Sequence, residues 1–292
     1  MNIIFQISGG IGKCILATSV CEAIHEEYPN DNLIVMSGYP EVFLNNPFVH
    51  RSFAFDTAQY FYQDYIEDKD FIVFAQEPYL DAKHLRNEEH LSATWSRMFD
   101  VPAPTNTSPQ LFLTQREIDF YAKKYSSDKP IMLLQTNGGA VGQELKYSWA
   151  RDIPADVVVD VINEFKNDYN IVHMRREDQP NFEFTTPVSD GFRGLCVLIA
   201  LSEKRLLMDS FGQHAAAGLN KPSTVLWVVN SPVVFGYDIH QNIQCNPTTR
   251  TPELRSSYLN KFNIVGSLVE FPYHNESEIF NTQQVIESLK NQ

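Results

Sequence analysis

The chain has 292 residues, is 43% hydrophobic and carries a formal net charge of −13. This length is enough for two α/β domains, and the acidic balance, which both halves share, argues against broad attraction to nucleic acid or to anionic membranes. It does not exclude a local basic groove. No apolar run approaches the roughly 20 residues that span a bilayer, and the first residues lack the basic segment and cleavage site of a signal peptide. We therefore expect a soluble, cytoplasmic protein.

The first half of the chain alternates predicted strands and helices. A buried strand is predicted at 2–7, followed by the turn Ser8-Gly9-Gly10-Ile11-Gly12 and a helix over about 13–28. On that helix apolar residues recur at spacings of three and four, which predicts one buried face. Further strands are predicted at 33–36 and 70–75, and further helices at 89–99 and 115–125.

The second half repeats this arrangement. A polar break at 126–130 precedes an apolar run at 131–135, which ends in the turn Thr136-Asn137-Gly138-Gly139. After it we predict a helix through 157–165, a strand at 170–174, a helix at 192–202 and a strand at 223–229. The layout predicts an α/β protein with two Rossmann-like, doubly wound parallel-sheet domains that face a cleft.

The sequence also predicts the domain boundaries and the oxidation state of the cysteines. We assign 1–128 to a first domain, 129–275 to a second, and 276–292 to a C-terminal helix that is a candidate to pack back on the first domain. The cysteines are scattered without metal-ligand spacing, which predicts buried, reduced thiols and no metal site. They are Cys14, Cys21, Cys196 and Cys245.

The most informative stretch of the sequence is 205–222. A short apolar run stops at Asp209-Ser210-Phe211-Gly212, and a helix rich in small residues follows. The exposed amides of a helix's first turn favour phosphate, and small side chains allow a ligand to approach the backbone. Because ligands of doubly wound folds bind at the carboxyl ends of the strands, this stretch predicts a nucleotide site.

The N-terminal glycine turn has several interpretations. A P-loop ATPase would need a lysine where Ser8 stands and a hydroxyl where Cys14 stands. A dinucleotide fingerprint would need a small residue at Ile15. The turn can also serve only tight packing of strand and helix, or it can face a substrate through Gly10 and Gly12.

At this point the chain resembles a known family. In the first half the resemblance lies in Tyr28-Pro29 at the end of a helix and in Asn46-Pro47-Phe48-Val49 after a strand. In the second half it lies, more specifically, in Lys146 and Trp149 after the glycine turn, then Asp209-Ser210, His214 and Lys221-Pro222. Over about 2–229 the sequence resembles the heptosyltransferase-like enzymes of glycosyltransferase family nine, which have the GT-B fold.

The resemblance implies transfer of a sugar from a nucleotide-sugar donor to an acceptor hydroxyl. It implies no cofactor beyond the nucleotide sugar as co-substrate, no metal, an acceptor-binding first domain and a donor-binding second domain. A departing diphosphate needs positive charge and N–H donors, which a lysine, a serine and helix amides can supply. The donor residues are then Thr136, Asn137, Gly138, Lys146, Arg175, Asp209, Ser210, Phe211, Gly212, Gln213 and His214.

Several of these residues have a simpler alternative. Lys146 can be a solvated surface lysine, and His214 a helix histidine whose hydrogen bonds are made within the protein. Asp209 can be no more than a helix N-cap. Arg175 and Arg176 can be a surface pair.

Two departures from the family pattern affect the expected chemistry. The family usually has Gly at the position of Phe211, and after the first glycine turn it has a carboxylate, the presumed general base, where this chain has Lys13. A lysine at its ordinary pKa cannot remove the proton of an acceptor hydroxyl. Glu77, after the predicted strand at 70–75, is the best substitute, with Lys13 binding an anionic group as another interpretation. The fallback bases are Asp81, His84 and Glu41.

The aromatic residues of the first half point to stacking on a carbohydrate or base, or to core packing. They are Tyr60, Phe61, Tyr62, Tyr65, Tyr79 and Trp95. The acceptor is left open between a glycan, a lipid-linked glycan such as lipopolysaccharide core, and a modified nucleobase. Two other functions stay open: an ATPase that uses the 9–13 turn, and a catalytically silent module that binds a sugar nucleotide or a glycan. The oligomeric state is not predicted.

Overall fold

The computed structural model describes residues 1–104, 107–138, 151–228, 230–246 and 279–292. The chain divides into two compact units, Met1–Thr114 and Gln115–Gln292. The division falls before the helix at 115–124, and the boundary predicted from the polar break falls after it. Among the described residues, no helix is both long enough and apolar enough to cross a membrane.

The first unit is built on four parallel strands. Each strand pairs in register with its neighbour, as Asn2 does with Asn32 on one side and with Phe71 on the other. The strands lie in the order β3-β2-β1-β4. They are β1 (Asn2–Ile7), β2 (Asn32–Ser37), β3 (Arg51–Ala54) and β4 (Phe71–Phe74), and the helices are α1 (Ile11–Glu27), α2 (Phe61–Tyr65), α3 (Ala82–Leu85) and α4 (Leu91–Met98). Short 3₁₀ helices span Pro40–Phe43 and Pro78–Leu80.

The second unit has six parallel strands, in the order β10-β9-β8-β5-β6-β7. They are β5 (Ile131–Leu134), β6 (Asn170–Met174), β7 (Thr186–Val188), β8 (Lys204–Met208), β9 (Thr224–Trp227) and β10 (Gln241–Gln244). The helices are α5 (Gln115–Lys124), α6 (Ala155–Phe165), α7 (Phe192–Leu201), α8 (Phe211–Gly218), α9 (Pro232–Phe235) and α10 (Thr282–Lys290).

Both sheets follow the strand order of dinucleotide-binding folds. Starting from β7, the second sheet has the order 3-2-1-4-5-6, and the first sheet has the first four strands of it. The order reverses between β1 and β4 in one unit and between β5 and β8 in the other, which is where ligands bind in such folds. The predicted α/β class with two doubly wound parallel sheets is confirmed.

Most of the strands that periodicity predicts are central and buried on both faces. The exception is β4, predicted at 70–75, which is an edge strand with Phe71 and Val73 each 42% exposed. Three further strands were not predicted: β3, β7 and β10. Each lies at a sheet edge, is short, and is only partly buried. Because backbone pairing with a neighbour holds such strands, their side chains carry little apolar signal.

Helix α5 belongs to the second unit because it packs closely on α7. A Cβ atom at Gly194 would lie only 2.6 Å from Cε1 of Tyr121, so only glycine allows the two helices this approach. Arg193 adds a two-pronged ion pair to Glu117, with Nε to Oε1 at 2.7 Å and Nη2 to Oε2 at 2.9 Å.

Helix α10 also packs on the second unit, against α6, β8 and β9. Its apolar face, Val285, Ile286 and Leu289, enters the core that α6 lines. The buried Lys204 at the start of β8 donates from Nζ to the carbonyl of Leu289 at 2.7 Å, so it caps the end of the helix. The helix therefore packs within the second unit, and its packing on the first domain stays a prediction.

The four cysteines are free and buried, as predicted. Burial raises the pKa of the Cys14 and Cys196 thiols to about 12. Thiols of this kind are structural and unreactive, because the thiolate is the nucleophilic form.

Candidate functional site

In the first unit, the reversal of strand order brings the ends of β1 and β4 together. The turn after β1 uses Gly9 at a φ of +108°, a conformation that favours glycine, and Gly10 is the N-cap residue of α1. Lys13 lies in the first turn of that helix, and Glu77 follows β4. The structure therefore places the two predicted catalytic residues side by side.

Lys13 and Glu77 form an ion pair. Lys13 Nζ lies 2.6 Å from Glu77 Oε2, to which Ser8 Oγ also donates at 3.3 Å. The other carboxylate oxygen accepts from the backbone N–H of Tyr79 at 3.2 Å. The lysine side chain is 4% exposed and the glutamate side chain 33%, so solvent and ligands reach the carboxylate rather than the ammonium group.

Aromatic rings cover the remaining side of the ammonium group. Lys13 Nζ lies 4.8 Å from the ring centroid of Tyr79 and 5.2 Å from that of Trp95, within cation–π range. Trp95 is held in turn by a hydrogen bond from Nε1 to the carbonyl of Gln76 at 3.2 Å. Protein groups thus surround the Lys13 ammonium group, whereas a P-loop lysine must contact phosphate. This arrangement disfavours the ATPase interpretation.

The fallback bases have other surroundings. Asp81 is the N-cap of α3 and pairs with Arg97 at 2.7 Å, and the hydrogen bond from Arg97 lowers the pKa of its carboxyl group. His84 is fully buried, and Glu41 lies in the first turn of the 3₁₀ helix Pro40–Phe43. Glu77 is the carboxylate at the strand ends.

Most of the aromatic cluster serves packing. Phe61 and Tyr65 both contact Phe53, with ring centroids 5.5 and 5.8 Å apart. Tyr60 and Tyr62 are exposed.

In the second unit, a polar turn follows β5 at the corresponding position. Gln135, Thr136 and Asn137 are buried there. Gln135 links the two strand ends: its Nε2 donates to Ser210 Oγ at 3.3 Å, and its Oε1 accepts from the backbone N–H of Gly212 at 3.2 Å. The sequence analysis missed Gln135, although its position, directly after a buried strand, could have indicated it.

A cavity of about 190 Å³ opens at this point. Met174, Val188, Leu195 and Phe211 supply apolar walls. One carboxylate, Asp190, also lines the cavity, and it forms an ion pair with Lys124 at 2.5 Å. The rest of the polar lining is Gln135, Asn137, Gly138, Arg175, Arg176, Gln179, Ser189 and Ser210. An apolar pocket with a few convergent polar groups is typical of a small-molecule site.

Arg175 lies in this lining at the end of β6. Its Nη2 donates to the carbonyls of Glu177 at 2.8 Å and Gln179 at 2.6 Å, whereas its buried Nε has no hydrogen-bond partner among the described residues. No carboxylate of the described residues is paired with it. Arg176 differs, because it forms an ion pair with Asp178 at 3.1 Å. The two arginines are not an equivalent surface pair.

The Asp209-Ser210 motif opens α8, but Asp209 is not its N-cap. Ser210 holds the cap position, and its side chain makes no capping hydrogen bond. Asp209 is buried, accepts a hydrogen bond from Asn230 Nδ2 and lies 4.0 Å from Arg151 Nε. The N-cap alternative is therefore wrong.

Position 212 favours glycine because of its contact with Gln135. A Cβ atom at position 212 would lie 2.2 Å from Gln135 Oε1. The same contact occupies one of the first-turn amides that the sequence analysis assigned to phosphate.

Gln213 and His214 do not line the cavity. His214 Nδ1 is 2.7 Å from Tyr237 Oη, and Gln213 Nε2 donates to the carbonyl of Phe235 at 3.0 Å. His240 Nε2 is 2.9 Å from the carbonyl of Gln213. These contacts fit the alternative of a helix histidine satisfied within the protein. Gly139, Lys146 and Trp149 lie outside the described residues.

Buried polar side chains behind the cavity lining hold the turn after β5. Asp152, which is 1% exposed, accepts from Asn137 Nδ2 at 2.9 Å and from the backbone N–H of Gly138 at 3.0 Å. Thr136 Oγ1 lies 2.8 Å from His173 Nε2. Burial, with a smaller effect of Arg175, lowers the pKa of His173 to about 4. No motif in the sequence indicated Asp152 or His173.

Comparison with known proteins gave matches to solved structures only. No family model matches the chain, and no curated protein matches it. A family 9 glycosyl transferase from Veillonella parvula DSM 2008 is 14% identical, with a TM-score of 0.68 over 99% of this chain and 96% of that one. The E. coli ADP-heptose LPS heptosyltransferase II is 13% identical, with a TM-score of 0.63 over 100% and 98% of the two chains.

E. coli heptosyltransferase WaaC with ADP is 10% identical, with a TM-score of 0.57 over 91% of this chain and all of that one. At these identities the likeness is one of fold. It confirms that the resemblance noted in the sequence extends to the GT-B-like fold of heptosyltransferase-like proteins of glycosyltransferase family nine.

Proposed function

We propose that the protein is a glycosyltransferase that moves a sugar from a nucleotide-sugar donor to an acceptor hydroxyl. The observation that carries the proposal is the cavity at the β5–β8 reversal, whose lining holds an arginine with no carboxylate partner among the described residues. The likeness of fold to heptosyltransferases over nearly their whole length supports it. In the proposal the second unit binds the donor and the first unit binds the acceptor.

Charge and close approach favour a diphosphate in this cavity. As the bond between the sugar and the diphosphate breaks, negative charge develops on the leaving oxygens, and donors aimed at those oxygens lower the barrier. Arg175, Ser210 Oγ and the N-terminal end of α8 are the candidate donors, with Lys146 as a further one. A side chain at Gly138 would crowd the groups around Ser210, since a Cβ atom there would lie 3.1 Å from Met208 Cε and 3.6 Å from Ser210 Oγ. We propose that these groups act without a metal ion.

Glu77 is the proposed general base. Its carboxylate would take the proton of the acceptor hydroxyl while that oxygen attacks the anomeric carbon and the diphosphate leaves with the bonding electrons. Lys13, held between the two aromatic rings, would position the carboxylate rather than bind substrate. This arrangement supplies a carboxylate from β4 where the family carries one after the first glycine turn.

The first test is a thermal-shift screen with ADP, GDP, CDP, UDP, dTDP and their common sugar conjugates, with and without Mg²⁺. ADP-heptose is included because one similar structure is an ADP-heptose enzyme. A ligand at 100 times its Kd stabilises the native state by about 2.7 kcal/mol, which raises the melting temperature by several degrees. We expect one nucleoside diphosphate to do so without Mg²⁺.

Three other outcomes would contradict the proposal. Stabilisation by ATP with Mg²⁺ alone would favour the ATPase. Donor binding without release of nucleoside diphosphate, even with glycan acceptors present, would favour the silent binding module. If no nucleotide stabilises the protein, the proposed donor site is wrong.

Arginine and lysine variants locate the site within the second unit. Arg175→Ala should weaken binding of the active nucleoside diphosphate about tenfold, because a charge-assisted hydrogen bond is lost. Lys146→Ala should weaken it by a similar factor. Arg116→Ala is the control, because Arg116 is an exposed arginine on α5. If all three variants bind the nucleoside diphosphate with equal affinity, the donor does not bind in this cavity.

A further inference from the structure

Four buried polar side chains behind the cavity wall form one continuous hydrogen-bonded chain. They are His173, Thr136, Asn137 and Asp152, of which the most exposed, Asn137, is 5% exposed. Burial of this many polar groups is costly unless they are hydrogen-bonded, and among the polar atoms of these four side chains only His173 Nδ1 has no hydrogen-bond partner in the described part of the chain. The linked side chains are therefore a built feature of the turn after β5.

The hydrogen bonds that link these four side chains all run in one direction, from His173 to Asp152. Thr136 Oγ1 donates its single proton to Asn137 Oδ1 at 2.8 Å, so it accepts from His173 Nε2, which carries the ring proton. Asn137 Nδ2 then donates to Asp152 Oδ2 at 2.9 Å, and the backbone N–H of Gly138 donates to Oδ1 at 3.0 Å. The Asp152 carboxylate therefore holds two consecutive residues of the turn.

We propose that Asp152 is a positioning residue for the donor diphosphate and that Asn137 separates its charge from the ligand. This inference rests on the proposed donor site. Asn137 and Gly138 line the cavity, whereas Asp152, which fixes them both, does not. At the turn after β5 an anionic ligand thus meets an amide, and the carboxylate that orders the turn stays behind it. The carboxylate on another part of the lining, Asp190, has its charge balanced by Lys124.

A charge swap separates these two roles. Asn137→Asp alone sets two carboxylates against each other, and Asp152→Asn alone removes the carboxylate that holds the turn. In Asn137→Asp/Asp152→Asn, the new amide at 152 can donate to the new carboxylate and still accept from Gly138. The whole set of hydrogen bonds is restored, but the negative charge now lies at the cavity wall.

The experiment measures melting temperature and nucleotide affinity for the two single variants, the double variant and the unaltered protein. The probe is whichever of ADP, GDP, CDP, UDP and dTDP binds the unaltered protein most tightly. We expect each single variant to melt roughly 5 °C lower, because a buried polar group loses its partner, and the double variant to recover most of that loss.

Affinity shows whether charge placement matters. The double variant should bind the nucleoside diphosphate at least about tenfold more weakly than the unaltered protein, because the carboxylate now repels it, and should bind the matching uncharged nucleoside equally well. A double variant no more stable than the sum of its single variants would overturn the positioning role. Recovered stability with unchanged diphosphate affinity, or with equal weakening for the nucleoside, would overturn the charge separation.

The same data distinguish failure of the proposed function. If no nucleoside diphosphate binds the unaltered protein, the donor site is wrong and the charge separation is overturned with it. The recovery of stability in the double variant still decides whether Asp152 and Asn137 hold the turn together.

Discussion

At the end of β1 a lysine and a glutamate form an ion pair, whereas at the end of β5 a glutamine bonds to a serine and to a backbone N–H, and an asparagine donates to a buried aspartate. Both clusters lie where the strand order of their sheet reverses. In the first unit the charged carboxylate is the group nearest solvent, and the lysine behind it is buried. In the second unit Asp152 and Asp209 are buried, and Asp190, the carboxylate that lines the cavity, is paired with Lys124.

The difference indicates how one topology serves two tasks. Reversal of strand order brings a glycine turn and a neighbouring strand end together in both units, whatever their side chains. An accessible carboxylate suits proton transfer from a hydroxyl, whereas a wall of amides, with negative charge held behind it, suits an anionic ligand. The following predictions test this contrast, from the largest expected effect to the smallest.

Removal of the carboxylate in the first unit should have the largest effect. Glu77→Gln keeps an acceptor for Lys13 but cannot take a proton, so we expect kcat to fall by about 10²- to 10⁴-fold. The assay is release of nucleoside diphosphate with acceptor present. Glu67→Gln, at an exposed position, is the control and should keep full activity. If Glu77→Gln stays within twofold of the unaltered protein, Glu77 is not the base.

Acid should weaken the second unit through its buried histidines. Burial lowers the pKa of His173 and of His240 to about 4, below the unfolded value of about 6.5. Below pH 6.5 the unfolded chain therefore binds more protons than the native state, so stability is complete above that pH and falls towards pH 4. At pH 5 each histidine should cost about 2 kcal/mol.

His173→Gln should remove one of these two contributions. The glutamine amide can replace the donor to Thr136, so the loss of unfolding free energy between pH 7 and pH 5 should shrink by about 2 kcal/mol. Urea unfolding at pH 7 and pH 5 measures this loss from the transition of the second unit. The control is His50→Gln, at an exposed histidine. The same loss in all three proteins would mean that His173 does not resist protonation in the native state.

Adding one methyl group at Gly212 should disturb the link between β5 and α8. The new Cβ atom would lie 2.2 Å from Gln135 Oε1, so the glutamine must move, and we expect a loss of about 1–2 kcal/mol. Adding Gln135→Ala to Gly212→Ala removes the overlap, so Gly212→Ala should cost little in that background. A melting temperature unchanged by Gly212→Ala alone would contradict the contact.

A glycine of the turn after β1, in the first unit, should tolerate the same change. Nothing lies within 4 Å of a Cβ atom at Gly10, and we expect Gly10→Ala to change the unfolding free energy by no more than about 0.5 kcal/mol. Its neighbour provides the contrast, because Gly9 has a φ of +108° and Gly9→Ala should cost more. Equal melting temperatures for the two variants would show that this turn is not constrained at Gly9.

The core of each sheet could be predicted because its sequence signal is local. Buried parallel strands carry apolar runs, as at 3–5 and 131–134, and a glycine turn followed by helical periodicity identifies the βα unit after each one. The same local pattern drew attention to Asp209-Ser210 and to Gly138, both of which lie at the β5–β8 reversal. Edge strands such as Gln241–Gln244 lack this signal, because backbone pairing holds them.

Contacts between residues far apart in the chain decided the rest. The sequence alone suggested Glu77 as a base and Lys13 as an anion binder, but only the fold placed them 2.6 Å apart. In the same way, packing on α7 assigned α5 to the second unit. The contact with Gln135 explained the glycine at 212, and Asp152 proved to hold the turn after β5 by a hydrogen bond from Gly138. Periodicity and motifs report a residue's own segment, whereas these pairings depend on which segments the sheet brings together.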